Sequence, residues 1–499
     1  MPKQIDELPL AGIHLDNSSL VPLYKQLYNL LREGILSGRF KAGQKLPGTR
    51  TFSNELKISR NTVTQAFEQL NIEGYITGAT GAGTYVTTEI PDKFLISNNK
   101  HVIQKPRNRK LPFKLKEKFN PPELLYRNTE EDKVIPFQNG LPSLDDFPIS
   151  TWLKIINKNG NYIPYLQFGY KSSTGYKPLK EAVADYLQTY RAVNCRQEHI
   201  IIINGSQQGL DLISRVLLQE KANVYLEDPG YFGARASVLT AGVNILPIPV
   251  DDEGINLDYA SKKYPKPDFI YTTPSHQFPL GSIMSIARRL KLLEYANKND
   301  ALIIEDDYDS EFRYAGSPLP SLQGMDNFNR VIYIGTFSKV LFPGLRLGYL
   351  VLPDDSMVEQ FAIAKSISDR QSPIFDQVVL SKFIEEGHFT KHIRKMRMLY
   401  KERQEFLIEE IKKETDGLLE VKPSDAGMHI VAWLPDDFND KKISTLAWEN
   451  DLIVYPLSEY TLKFKRRPGL IMGYTAFDKD KLREGVLKLK KILNIYKRE

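Results

Sequence analysis

The segment GTFSKVLFPGLRLGYL carries Lys339, with Thr336 and Ser338 just before it and Arg346 seven residues on. A lysine set at the end of a buried strand loses hydration, which disfavours its ammonium and leaves an amine able to form a Schiff base. The cluster EDDYDSEF, which holds Asp306 and Tyr308, follows another apolar run. Carboxylates in such a place call for a cation or a polar ligand, because an unpaired buried charge is costly. NGSQQGLD opens a helix with small and polar residues whose N–H groups and hydroxyls suit a phosphate, and no GK[ST] segment points to a nucleoside triphosphate. EDPGY sets Tyr231 where its ring either covers a planar ligand or packs as an ordinary aromatic at a strand end.

These residues need a scaffold that gathers them. Apolar runs recur at IIII (200–203), VYL (224–226), FIYTT (269–273), ALII (301–304) and VIYIG (331–335), separated by helical periods. That pattern predicts buried parallel strands joined by crossover helices. Ligands of such sheets collect at the carboxyl ends of the strands, where the polar segments above stand.

The first part of the chain has a different texture. Leu23, Leu27, Leu30, Leu31 and Ile35 form one apolar helix face that ends at the glycine of SGRF. A second helix is expected over 49–56, and ISRNTVTQAFEQL starts a third with Ser59 as its N-cap. On that helix Val63, Ala66, Phe67 and Leu70 point one way, while Arg60, Asn61, Thr62, Thr64 and Gln65 are left for the opposite face and the first turn. Polar side chains at a helix start suit reading of base edges, although a three-helix unit with polar residues outside is also a common solvated fold. EGYITGATGAGTYV then predicts a β-hairpin with a glycine-rich tip. Its glycines are in the wrong order for a dinucleotide fingerprint, and a strand rather than a helix follows them.

The 499 residues exceed one ordinary core, and their formal net charge is only +6. From Pro91 to Lys118 nine basic residues face two acids, an excess of +7 that surpasses the charge of the whole chain. The segment 89–133 is therefore expected to be an extended basic linker, either a solvated spacer or one that also touches phosphates. One cysteine, Cys195, excludes an intrachain disulfide; its basic neighbours favour a lowered thiol pKa, yet no catalytic partner is evident. No apolar stretch of about 18 residues and no signal peptide are seen, so a cytoplasmic protein without a membrane partner is expected. His388 and His392 stand at metal-ligand spacing, but they lack a third ligand and sit among basic residues, so a surface helix and no metal are expected.

In their order, PLYKQL, ILSGRFKAGQKLPGTR, ISRNTVTQAFEQL and GYITGATGAGTYV resemble the winged helix-turn-helix of the GntR family over 20–88, after an N-terminal arm at 1–19. The resemblance implies contacts with double-stranded DNA from Arg50, from Ser59, Arg60, Asn61, Thr62 and Thr64, and from the wing around Gly81. GTFSK(x)₆R and EDDYDSEF resemble fold type I pyridoxal 5′-phosphate enzymes, the aminotransferase superfamily, over 134–499. That likeness implies an α/β multidomain chain with a mostly parallel α/β/α sheet and a smaller C-terminal α+β subdomain from roughly 355 to 499. It assigns Lys339 to the Schiff base, Arg346, Ser206, Gln207, Thr336 and Ser338 to the phosphate, Tyr231 to the ring face, Asp306 to the ring nitrogen and Tyr308 to the ring hydroxyl. Tyr170 would reach the phosphate of a neighbouring subunit, which implies a homodimer.

Both halves in this order, with PSHQFPLG, resemble the MocR/GabR subfamily of regulators. Two departures stand out. Phe278 replaces the asparagine that ordinary aminotransferases carry before the proline, which leaves His276 or Gln277 to supply its polar contact. Ile471 stands where an arginine usually grips the substrate carboxylate, and Arg466 and Arg467 nearby are either substitutes or part of a solvated loop. The expected function is a pyridoxal phosphate-dependent DNA-binding regulator that senses a small amine or the cofactor itself. The alternative is a working aminotransferase with a DNA-binding domain attached.

Overall fold

The computed structural model describes residues 13–79, 83–88, 134–160, 169–316 and 319–497. They fall in two compact units, Met1–Pro112 and Phe113–Glu499. Gly81, most of the N-terminal arm and the expected linker at 89–133 lie outside the described residues.

In the first unit, α1 (Leu23–Leu36), α2 (Thr49–Leu56) and α3 (Arg60–Ile72) pack around Leu27, Leu31, Ile35, Phe52, Val63, Phe67 and Leu70. The Phe52 and Phe67 rings meet edge to face at 5.4 Å, locking α2 against α3. The hairpin is β2 (Ile76–Ala79) with β3 (Gly83–Val86), and a two-residue strand β1 (Lys45–Leu46) adds to β3 in the order β1-β3-β2. Two residues are too short to show a period, so β1 left no sequence signal. Ser59 caps α3 by accepting from the Thr62 N–H at 3.1 Å. That bond supplies one of the partners that the first turn of a helix lacks.

The second unit is built on an eight-stranded sheet in the order β4-β11-β10-β9-β8-β5-β6-β7. Here β4 is Ile200–Ile203, β5 Asn223–Asp228, β6 Asn244–Asp251, β7 Gly254–Ile255, β8 Phe269–Thr272, β9 Leu302–Asp307, β10 Val331–Thr336 and β11 Gly348–Val351. Each of the five apolar runs became a strand. Every residue of β4, β8 and β10 is buried, as expected when helices cover both faces of a sheet. The central pairs β5·β6, β5·β8, β8·β9 and β9·β10 are parallel. β11 lies antiparallel between β10 and β4, which leaves β4 pointing with the parallel set.

A second sheet, β12 (Glu420–Val421), β13 (His429–Trp433), β14 (Tyr455–Pro456) and β15 (Gly469–Gly473), is antiparallel in the order β12-β13-β15-β14. It packs with the long helices His388–Glu414 and Lys479–Tyr496. The long helix corrects the expectation of a surface position for His392, while His388 at its start stays partly exposed. His392 is buried, with Nε2 3.3 Å from the Val340 carbonyl, and burial holds its pKa down to about 4. Cys195 is likewise buried, and loss of solvent pushes its thiol up to about 12 despite the basic neighbours. Among the described residues no helix is long and apolar enough to cross a membrane.

Ser59→Ala removes the α3 cap and is expected to lower the local stability of the first unit by about 1 kcal/mol. Hydrogen exchange of the α3 amides in the full chain reads this, with exchange speeding there and unchanged in β4 and β10.

Candidate functional site

Strand β9 ends in three consecutive acids, Glu305, Asp306 and Asp307. Side chains of a strand alternate in direction, so the middle acid faces away from the outer two. Glu305 accepts the Leu322 and Gln323 N–H groups, each at 2.9 Å. Asp307 pairs with the Arg191 guanidinium at 2.8 Å and accepts the Tyr333 hydroxyl at 2.5 Å. Asp306 instead lines a cavity of about 450 Å³ at the carboxyl ends of the strands. Its Oδ2 accepts the Tyr271 hydroxyl at 2.8 Å, while Oδ1 is buried without a partner. Burial outweighs the Tyr271 hydrogen bond and pushes the carboxyl up to about 7, with the charges of Asp307, Glu227 and Asp309 adding to the rise.

Lys339 follows β10 and enters the same cavity. Its Nζ donates to the Gly140 carbonyl at 3.0 Å. Burial lowers its pKa, the nearby Asp309 charge opposes this, and Arg346 adds to it. Gly140 adopts φ +74°, and a Cβ there would stand 2.3 Å from Nζ, so any side chain at this position would displace the amine.

A corner of the cavity is shaped for an anion. The helix Ser206–Leu217 starts there, with Ser206 and Gln207 on its first turn, and Thr336, Ser338 and Arg346 complete the lining. Helix N–H groups and a guanidinium both favour negative charge. Arg346 donates to the Asn204 carbonyl at 3.1 Å, and a Cβ on Gly205 would stand 3.1 Å from the same guanidinium. The Ser338 hydroxyl is buried without a partner. Gln207 is held by Ser237 Oγ at 2.7 Å and receives the Tyr231 hydroxyl at 3.4 Å, which fixes the Tyr231 ring at the cavity wall. Phe278 meets Tyr231 and Tyr308 edge to face, each with centroids 6.0 Å apart.

An amine, a carboxyl with an orphan oxygen, aromatic walls and an anion corner lining one cavity fit the pyridoxal phosphate that the sequence resemblance implies. His276 and Gln277 are buried behind this lining rather than within it. Gln277 Nε2 donates to Glu227 at 3.1 Å and to the Pro229 carbonyl at 3.0 Å. His276 Nδ1 lies 2.9 Å from the Tyr308 hydroxyl and 3.0 Å from Asp309 Oδ2. His276, Asp309 and His429 bring potential ligand atoms within 4.8 Å of one another. Hydrogen bonds account for the grouping, since His429 Nε2 is turned to the Pro279 carbonyl at 3.0 Å.

Arg466 and Arg467 lie elsewhere, lining a separate groove of about 580 Å³. Arg466 donates to the Val250 carbonyl, and Arg467 donates to the Leu434 carbonyl at 2.7 Å and pairs with Glu420. Ile471 is buried in β15. Tyr170 is 81% exposed, with the Arg370 guanidinium 5.0 Å from its ring centroid. In the first unit Arg50, Ser59, Arg60 and Asn61 are exposed, and Thr62 and Thr64 are half-buried. Arg60 is steadied by Thr49 Oγ1 at 3.3 Å, and the Thr64 hydroxyl donates to the Arg60 carbonyl at 3.0 Å.

Tyr271, Gly140 and His429 are cavity residues that sequence reading missed. Tyr271 had a signal, because it alternates with Ile270 just before the end of β8. Gly140 had none, since its carbonyl meets an amine 199 residues away.

The Asp306 carboxyl holds its proton to about 7 in the fold but ionises near 3.8 when solvated. Its contribution to stability is therefore present below about pH 4 and is lost as pH rises through 7. Ligand-free Asp306→Asn protein is expected to gain roughly 2–4 kcal/mol on the ligand-free parent between pH 4 and 8. Denaturant titrations at the two pH values measure the difference; parallel pH profiles would contradict it.

Residues 143–482 match the family described as Aminotransferase class I and II, and residues 23–86 match Bacterial regulatory proteins, gntR family. The chain is 36% identical over 489 residues to the probable rhizopine catabolism regulatory protein MocR of Rhizobium meliloti, covering 95% of this chain and 94% of that protein. It is 30% identical over 489 residues to the HTH-type pyridoxine biosynthesis transcriptional regulator PdxR of Corynebacterium glutamicum, covering 96% of each. A solved Pyrococcus horikoshii kynurenine aminotransferase, in complex with PMP, superposes with a TM-score of 0.68 at 29% identity, covering 76% of this chain and 98% of that one. The aminotransferase class I and II domain implies pyridoxal phosphate binding, and the GntR domain implies DNA binding. The chain belongs to the MocR subfamily of GntR-type transcription regulators, which join a winged helix-turn-helix to an aminotransferase-like domain.

Proposed function

We propose that this regulator holds pyridoxal phosphate on Lys339 and that a small amine, or the cofactor itself, sets its affinity for DNA. The observation that carries the reading is that the Lys339 amine and the half-satisfied Asp306 carboxyl line one cavity with the Arg346 corner. In this reading Arg346, Ser206, Thr336 and Ser338 hold the phosphate, with Gln207 at its edge. Tyr231 covers the ring, Asp306 meets the ring nitrogen and Tyr308 the ring hydroxyl. When bound, the cofactor supplies an electron sink and a carbon for which Lys339 and a ligand amine compete. The protein's own part is to keep Lys339 desolvated, to orient its amine through Gly140 and to hold the Asp306 carboxyl where a cationic ring nitrogen would stabilise its ionised form.

Among the described residues lining the cavity, Arg346 is the sole guanidinium, and it stands at the phosphate corner. With Ile471 buried and Arg466 and Arg467 engaged in another groove, an α-carboxylate finds no fork to bind it there. This favours an amine without that carboxylate, or the cofactor alone, over the substrates of a working aminotransferase. The chain acts in the cytoplasm as a homodimer, Tyr170 serving the neighbouring subunit, and Arg50, the α3 start and the wing at Gly81 contact DNA. A ligand shifts the spacing of the two readers only to the extent that it binds one arrangement better than the other.

Fluorescence anisotropy on promoter DNA tests this reading. Lys339→Ala is expected to keep salt-dependent DNA binding and to lose the change in affinity caused by pyridoxal phosphate and candidate amines. A variant with its full response intact would overturn the proposal, and stoichiometric keto-acid release in a single turnover would favour the enzyme. Arg60→Ala is expected to weaken specific DNA binding about tenfold or more without changing the visible spectrum.

A further inference from the structure

We infer that Asp309 and His276 form a positioning pair that fixes the direction of the Tyr308 hydroxyl, aiming its proton into the cavity. The inference deepens the cofactor reading above and rests on it. Its basis is one nitrogen with two neighbours: His276 Nδ1 lies 3.0 Å from Asp309 Oδ2 and 2.9 Å from the Tyr308 oxygen. Burial raises the Asp309 carboxyl pKa and the adjoining His276 imidazole works against that rise; in its ionised form the carboxylate only accepts, which puts the proton of that imidazole on Nδ1. The Tyr308 oxygen then faces an N–H and can only accept from it. Its own proton must find an acceptor elsewhere, and Tyr308 lines the cavity where the ring hydroxyl of the cofactor would lie.

The slot that holds the imidazole is tightly shaped. Gly427 adopts φ +95°, and a Cβ there would come within 1.9 Å of the His276 ring; a Cβ on Gly281 would stand 3.2 Å from Nε2 on the other side. Ser424 Oγ lies 3.5 Å from Nε2, and the His429 ring centroid is 5.1 Å away. Burial keeps His429 neutral by pulling it down to about 3. Around Tyr308 the charges of Asp306, Glu227 and Asp307 add to that of Asp309, while Lys339 and Arg346 are the cationic side chains among the described residues lining the cavity. The pair is 33 residues apart in sequence and joins the loop after β8 to the end of β9. It occupies the neighbourhood left without a polar side chain by Phe278.

The test is a pH titration of the visible chromophore that the full-length protein forms with added pyridoxal phosphate. A donor to the ring oxygen competes with the proton shared between that oxygen and the Lys339 nitrogen, so losing the donor raises the midpoint. Tyr308→Phe is expected to raise it by about one to two pH units, the worth of a hydrogen bond to a charged group. In Asp309→Asn the amide can donate to Nδ1, the imidazole proton moves to Nε2 beside Ser424, and the Tyr308 proton turns back. That variant is expected to shift the midpoint in the same direction, and the Tyr308→Phe/Asp309→Asn double variant to shift no further than Tyr308→Phe alone. His276→Leu is expected to follow them, whereas His276→Gln, which keeps an N–H, stays closer to the parent.

A purely structural role would alter stability or occupancy and leave the midpoint in place. Coloured Asp309→Asn or His276→Leu protein with the parental midpoint, or shifts that add in the double variant, would overturn the inference while sparing the cofactor reading. If the parent protein stays colourless, the cofactor reading falls and takes this one with it.

Discussion

Two ionisable groups that dislike burial share one cavity: the Lys339 amine, whose charged form is disfavoured there, and the Asp306 carboxyl, pushed up to about 7. Each is left in a state that a cationic aromatic ring and an electrophilic carbon would relieve. The surrounding structure serves to maintain that tension. β9 spends its outer acids on Arg191 and on the N–H groups at 322 and 323, so only the middle acid is presented to the ligand. β10 delivers the lysine beside it, and Gly140 accepts its proton where any side chain would intrude.

On the reading proposed above, the same economy suits an aminotransferase scaffold to a regulator. On the proposed reading the cofactor end of the cavity is complete, with an anion corner, an aromatic wall and a carboxyl to meet the ring nitrogen. The substrate end lacks the guanidinium that would commit it to α-amino acids, because Ile471 packs into β15 and Arg466 and Arg467 bind carbonyls and Glu420 in a different groove. Coupling to DNA then requires no chemistry to be completed. A ligand needs only unequal affinity for the arrangements available to a chain that also carries a winged helix-turn-helix.

How much of this was legible in the sequence follows from the range of each interaction. Ser59 as cap of α3, the five apolar strands, and Lys339, Asp306 and Tyr308 at strand ends are local features, written within a few residues of each other. The antiparallel insertion of β11 was not legible, because burial on both faces erases the alternation that would mark a strand's neighbours. His392 was misread as a surface residue, since basic neighbours on a long helix do not reveal which face meets Phe147 and Val340. Arg466 and Arg467 looked like candidates for the missing fork until the fold placed them outside the cavity. His276 stood in the right segment, but its partners Asp309 and Tyr308 come from another strand end, and only tertiary structure joins them.

The most direct measurement is borohydride reduction of protein incubated with pyridoxal phosphate, followed by mass spectrometric mapping of the labelled lysine. The account predicts one phosphopyridoxyl group per chain, on Lys339, and none on Asp306→Ala protein at the same limiting cofactor concentration. Label spread over surface lysines, or absent from Lys339 in the parent, would contradict it.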